Sequence, residues 1–408
     1  MNSHKKQNVL GSTGLTFGHT LIEWYAQGFT VFLPKLSTAM GLNAAQVGLI
    51  VSVNYFVAAL SSPFLGIFSD IVGRKASTMA LMVVWVVVGY LAVSFSPGYL
   101  WIVVLVALAE LGSVAWHPPA MAIMAEQFPE KKGLAISIHS LGGAISGALA
   151  PVCMGFLLIH LSWRVTLQVV AAPILLLTLP LWVLLKNVRS TTGRTASASE
   201  LFQEISRMKT DPSLIGILFV AGSNAMIRNA LISMVPLYFA YSLNMNIGLI
   251  GVHMGILTLS GVIATPIMGM FSDKYGRKPV LATGMAFMGV AIIVMTTQTA
   301  VGIGLILSLI SIGFFNQSLE PVHAATISDL TRKDVTATAM GILMASSGLM
   351  GAISPVVAGL TADTKGFQIA FILVAVVSFC AAGVSIFLRI PQTDKVKFEQ
   401  KPYKGISK

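Results

Sequence analysis

The chain has 408 residues, of which 55% are hydrophobic and only 10% charged, and its mean hydropathy is +0.82. Soluble globular chains carry about a quarter charged residues, so this composition excludes a water-soluble enzyme or binding module and describes an integral membrane protein. The net charge of +11 could suggest a nucleic-acid partner, but the basic residues are sorted by loop, which is a membrane pattern and not a nucleic-acid one.

A helix crosses the bilayer core with about 20 apolar residues. On that template the chain contains twelve spans, at 14–36, 46–69, 78–96, 99–125, 134–159, 164–186, 213–240, 248–271, 279–298, 302–327, 337–360 and 368–389. Lys5 and Lys6 precede the first as in a signal peptide, but the apolar stretch is too long and lacks a small-residue cleavage site. The expected fold is therefore an all-α integral membrane protein. Residues 187–212 form the one long polar connection, and its patch Leu201-Phe202-Gln203-Glu204-Ile205 is expected to lie along the membrane surface. This linker divides the chain into a six-helix bundle over 1–186 and a second over 213–390, followed by a basic tail over 391–408 that suits anionic lipid.

All but four of the 26 Lys and Arg fall on the linker side of the membrane: Lys35, Arg164 and Lys365 lie opposite, and Arg228 lies within a span. By the positive-inside rule both termini are cytoplasmic, which in a bacterium means the inner membrane. Cys153 and Cys380 sit inside apolar spans, a setting that suits packing and not a disulfide or a metal.

A ten-residue stretch occurs twice: Gly66-Ile67-Phe68-Ser69-Asp70-Ile71-Val72-Gly73-Arg74-Lys75, and Gly269-Met270-Phe271-Ser272-Asp273-Lys274-Tyr275-Gly276-Arg277-Lys278, 203 residues later. Asn43 and Asn246, Gly48 and Gly251, and Pro63 and Pro266 repeat at the same offset. A period of half the chain means two related halves and not a solenoid. The pattern G-x-x-x-D-x-x-G-R-K resembles the loop signature of the major facilitator superfamily, which joins the second and third helices of each six-helix half. By that resemblance the first Gly (Gly66, Gly269) lets helices approach closely and the second (Gly73, Gly276) makes a tight turn. Asp70 and Asp273 pair with Arg74 and Arg277 beside Lys75 and Lys278, forming a gating loop.

Ionisable groups inside spans are costly and are functional candidates by default. Here they are His19 and Glu23 in the first span, Glu110 and His117 in the fourth, Arg228 in the seventh, and Glu320 and His323 in the tenth. In the superfamily these four helices line the central cavity, so all seven residues are expected to form a substrate and proton site. The i,i+4, i,i+7 and i,i+3 spacings place each pair on one helix face. His117-Pro118 maps onto Glu320-Pro321 at the 203-residue offset, so His117 and Glu320 are expected to face each other as a proton-binding pair. Arg228, whose guanidinium stays charged, is expected to meet Glu23 or Glu320, or an anionic substrate. His139 and His253 fall near predicted helix ends, outside this set.

The run Gly112-Ser113-Val114-Ala115-Trp116-His117-Pro118, with Lys132-Gly133-Leu134-Ala135, Gly142-Gly143 and an early Gly18-His19, is similar to fosmidomycin-resistance-type efflux proteins. The small residues Gly142, Gly143, Gly147, Pro151 and Gly155, with Gly341, Gly348, Gly351 and Pro355, resemble a degenerate antiporter motif in which helices slide closely. That resemblance implies proton-coupled efflux of a small drug-like or anionic compound. The Arg usual in the fourth helix of multidrug antiporters is absent, with Glu110 in its region. Uptake by proton symport is the alternative, and a non-transporting sensor a third reading. The sequence has no nucleotide-binding loop, paired metal motif or hydrolase triad. The expectation is a non-enzyme, a monomer without cofactor or metal, whose partners are a small-molecule substrate, protons and the bilayer.

Overall fold

The computed structural model describes residues 3–72, 76–128, 132–185, 211–331 and 336–390. They form twelve helices: α1 (Ser3–Met40), α2 (Ala44–Val72), α3 (Ala76–Ser94), α4 (Tyr99–Gln127), α5 (Lys132–His160), α6 (Trp163–Leu185), α7 (Pro212–Tyr241), α8 (Ile247–Tyr275), α9 (Arg277–Thr296), α10 (Ile303–Leu330), α11 (Thr336–Lys365) and α12 (Phe367–Phe387). Ten are long and apolar enough to cross a membrane; the described part of α3, Thr78–Ser94, is a shorter apolar helix. The first helix is diluted by His19, Glu23, Gln27 and its threonines, the polar groups that a site needs. The linker and the basic tail lie outside the described residues.

Helix ends follow local chemistry. Asn43 and Asn246, equivalent in the repeat, both cap the helix that follows: Asn43 Oδ1 accepts from Gln46 N at 2.8 Å, and Asn246 Oδ1 accepts from Leu249 N at 2.9 Å. Asp211 caps α7 ahead of Pro212. Gly276 ends α8 with φ +94°, a conformation that only glycine adopts without strain.

The packing repeats with the sequence. Within the first six helices α1 packs on α5, α2 on α4, and α3 on α4 and α6; within the second, α7 packs on α11, α8 on α10, and α9 on α10 and α12. The sets meet along α2 against α11 and α5 against α8, with α1 against α7 between them. Gly48, Gly147, Gly155, Gly251 and Gly348 sit at these seams, whereas Gly142 and Gly143 pack on α1 within the first set. A side chain at Gly48 would strike the Pro355 carbonyl, and one at Gly251 the Pro151 carbonyl. Gly155 and Gly348 likewise allow close approach to Gly251 and Ala59, whereas Gly341 faces open space. Cys153 and Cys380 are exposed on their helices, not packed as their apolar context suggested.

The face opposite the duplicated loops is closed by polar contacts between the sets. Asp363 of α11 accepts from Ala44 N and Ala45 N at 2.8 Å each. Val356 N donates to Ser52 Oγ at 3.1 Å. The Tyr241 hydroxyl lies 2.8 Å from Ser37 Oγ and 3.2 Å from Thr38 Oγ1, and Thr38 and Tyr241 are themselves equivalents in the repeat.

Candidate functional site: a polar cavity between the helix sets

A cavity of about 1070 Å³ lies between the two sets, lined by α1, α2, α4, α5, α7, α8 and α10, with Tyr90 of α3. Its lining runs from Phe29, Leu33 and Ile50, just inside the closed face, to Met121, Ile136, Pro266 and Ala324 toward the duplicated loops. Six of the seven expected ionisable residues line it: His19, Glu23, Glu110, His117, Arg228 and Glu320. The seventh, His323, is buried and absent from the lining, and its Nε2 has no hydrogen-bond partner among the described residues. Three residues along a helix is about 300° of rotation, enough to turn His323 into the protein while Glu320 faces the cavity.

On the first-set side, Glu23 is the hub. Its Oε1 accepts from Ser113 Oγ at 3.0 Å, and its Oε2 accepts from Gln27 Nε2 at 3.1 Å. His117 Nε2 stands 3.6 Å from Oε1. His117 Nδ1 donates to the Ser113 carbonyl at 2.8 Å, and His19 Nδ1 donates to the His139 carbonyl at 2.9 Å. Because a carbonyl only accepts, both Nδ1 atoms carry the hydrogen and the neutral rings present Nε2 as a lone pair. The His19 ring is stacked on His139 at 4.4 Å and meets His117 edge-on at 5.1 Å. His139 therefore belongs to this cluster as a buried support, which its position near a helix end concealed. His253 is a plain core histidine, with Nδ1 on the Leu249 carbonyl and its ring against Phe239.

Across the cavity Arg228 donates to Glu320 at 2.9 Å. Glu320 is 65% exposed, so the pair faces cavity solvent and its charge is available to a ligand. This corrects the expected pairing of His117 with Glu320: Glu320, one of the two carboxylates expected to meet Arg228, does so, and the other, Glu23, meets His117. Equal depth in the membrane did not mean facing side chains. Glu110 lies apart from both pairs and accepts from Asn54 Nδ2 at 3.4 Å. Asn54, Ser113 and Gln27 were missed by a search for charges alone, although each is a polar residue in an apolar span.

The second copy of the loop motif is fully described. Arg277 pairs with Asp273, as expected, and also donates to Asp329 at 3.1 Å from the end of α10. Lys278 is exposed. Gly276 makes the turn, but Gly269 has no neighbour near a would-be side chain, so it is not a close-packing point here. In the first copy, the side chains at Gly66 and Asp70 and the whole of Gly73, Arg74 and Lys75 lie outside the described residues.

Comparison with known proteins decides the family. The sequence matches the model of the Major Facilitator Superfamily twice, over residues 15–223 and again over 217–407. The chain belongs to the Major Facilitator Superfamily. It is a multi-pass membrane transporter of that superfamily and not an enzyme. It is 24% identical to the multidrug resistance protein MdtG of Klebsiella pneumoniae, covering 89% of this chain and 90% of that one. It is 25% identical to the probable 4-methylmuconolactone transporter of Cupriavidus pinatubonensis, covering 94% and 90%. Among solved structures it resembles a bacterial homologue of the human lysosomal transporter Spinster, with a TM-score of 0.79 at 15% identity over 95% of this chain and 97% of that one.

Proposed function

We propose that this superfamily member is a proton-coupled exporter of a small organic compound, drug-like or anionic, working by alternating access between bundles 1–186 and 213–390 joined by the linker 187–212. The observation that carries this reading is the arrangement of one cavity, sealed on one face and lined by three carboxyls, two histidines and an arginine. With the basic loops cytoplasmic, as the positive-inside pattern supports, the cavity extends toward the cytoplasm and the structure is the inward-facing, loading state.

The division of labour follows from partners. Arg228, braced by Glu320, is the group for a substrate carboxylate or similar oxygen, since its planar fork stays charged. Glu110 has no cation against it among the described residues, so a proton is the positive charge it can take. Glu23, Tyr55 and Tyr90 line the same part of the cavity, and none supplies a fixed positive charge. The likeness to efflux proteins around His19 and His117, together with the named MdtG relative, supports export within the fosmidomycin-resistance-type branch.

The test is to reconstitute the protein in liposomes carrying an internal pH dye. Small organic acids, lactones and drug-like compounds are then added one at a time. A compound that drives proton movement opposite to its own flux supports the proposal. Proton movement in the same direction as substrate would replace export by uptake, and flux without any proton movement would remove the coupling.

A further inference from the structure

We propose that His19, Glu23 and His117 form a binding site for a divalent transition-metal ion of the zinc class within the cavity. The three donor atoms lie within 4.8 Å of one another, and His117 Nε2 is 3.6 Å from Glu23 Oε1. A tetrahedral ion with bonds of 2.0–2.1 Å needs donors separated by about 3.3 Å, so the set must contract by at most about 1.5 Å to close on the ion.

The surroundings favour an ion over a shared proton. With both Nδ1–H groups held by backbone carbonyls, each neutral ring keeps Nε2 as its lone-pair donor; that of His117 stands 3.6 Å from the Glu23 carboxylate, and one donor atom from each of the three residues lies within 4.8 Å of the others. Three acceptors converge there. A proton serves two of them, whereas a divalent cation serves all three. Anchoring of the remote ring nitrogen on a carbonyl is also what orients metal-binding imidazoles generally. Ser113 and Gln27 each donate to one Glu23 oxygen, which orients the carboxylate and leaves lone pairs free. The His139 ring stacked at 4.4 Å fixes the plane of His19. Gly143 keeps His19 Nε2 accessible, since a Cβ there would stand 2.8 Å from that nitrogen.

Two imidazoles and one carboxylate suit zinc, cobalt, nickel or copper in preference to magnesium or calcium. Three protein ligands leave a position for water or for an oxygen of the transported compound. The inference does not depend on the direction of transport or on proton coupling, because it is read from binding alone.

The experiment uses the full chain purified in detergent, titrated with Co²⁺ while visible absorption is recorded, then with Zn²⁺ by calorimetry. The expected result is one Co²⁺ per chain with the intense visible bands of low coordination number, displaced by Zn²⁺. His117→Gln and Glu23→Gln should each weaken Zn²⁺ binding by roughly tenfold or more, while His160→Gln, at the far end of α5, should not. Gly143→Ala should weaken binding while leaving every ligand in place, which keeps the test valid if a ligand variant does not fold. Absence of saturable binding below about 1 mM in the wild-type chain, or wild-type affinity in both ligand variants, would overturn the proposal.

Discussion

The carboxylate of Asp363 caps a helix of the other half of the molecule: its two oxygens accept from the backbone of Ala44 and Ala45, each at 2.8 Å. The first-turn N–H groups of α2 have no partner within their own helix, and an anion there also meets the positive end of the helix dipole. Asp363 thus latches α11 to α2 at the closed face. The latch has no counterpart in the other half, where the repeat places His160.

Loss of this latch is expected to shift the population toward the state open on that face. Asp363→Ala removes two charge-assisted bonds, about 2 kcal/mol or roughly thirtyfold in the ratio of states. Asp363→Asn keeps one acceptor and should have a smaller effect. Labelling of a cysteine at Ile50, in a chain with Cys153 and Cys380 replaced by serine, reads the shift through faster reaction with an impermeant maleimide from the Asp363 face.

Gly251 predicts a steric route to the same outcome. Its missing side chain lets α8 seat on the Pro151 carbonyl of α5, and backbone cannot move aside as a side-chain end can. Gly251→Val should separate the two helices at the closed face more than Gly251→Ala does. Spin labels on α5 and α8 would show a longer mean distance in the Val variant; an unchanged distribution would mean the seam tolerates a side chain.

Arg228 and Glu320 should be needed for transport in different ways. Arg228→Lys keeps the charge and loses the fork, so substrate affinity should fall while the protein remains folded. Glu320→Gln removes the brace and leaves Arg228 free for a substrate anion, which should tighten binding and slow release. Binding of an identified substrate to the purified variants separates these effects, and wild-type transport by both would exclude a substrate role for the pair.

Arg277 ties three helix ends together through Ser272, Asp273 and Asp329. Arg277→Ala should lower the thermal midpoint by a few degrees, an effect of about 1–2 kcal/mol for charge-assisted bonds at a partly exposed site. Arg277→Lys should recover part of it. Melting curves in detergent, with transport measured beside them, test whether the loop acts on stability, on gating or on both.

The architecture was legible because it is written in long-range regularities: apolar runs of bilayer length, the 203-residue repeat and a loop motif present twice. The membership of the cavity was nearly as legible, since charges in spans are few and helix periodicity orients them. The pairing was not. Which carboxylate meets which cation depends on helix rotation and tilt, and His117 with Glu23, or Arg228 with Glu320, differs from the depth-matched guess by small changes in both. His323 shows the limit of an i,i+3 argument, because about 60° separates such residues around a helix. Asp363 reads in sequence as an ordinary loop charge beside Lys365; only the arrival of the α2 terminus gives it a function.

Proton coupling at Glu110 is the central claim, and gradient-driven transport compared with counterflow in Glu110→Gln tests it most directly. Counterflow exchanges labelled for unlabelled substrate and needs no net proton movement, so it reports whether the cavity still binds and alternates. In reconstituted Glu110→Gln, counterflow should continue near the wild-type rate while a pH gradient no longer drives accumulation. Accumulation driven by the gradient at the wild-type level in this variant would contradict the account.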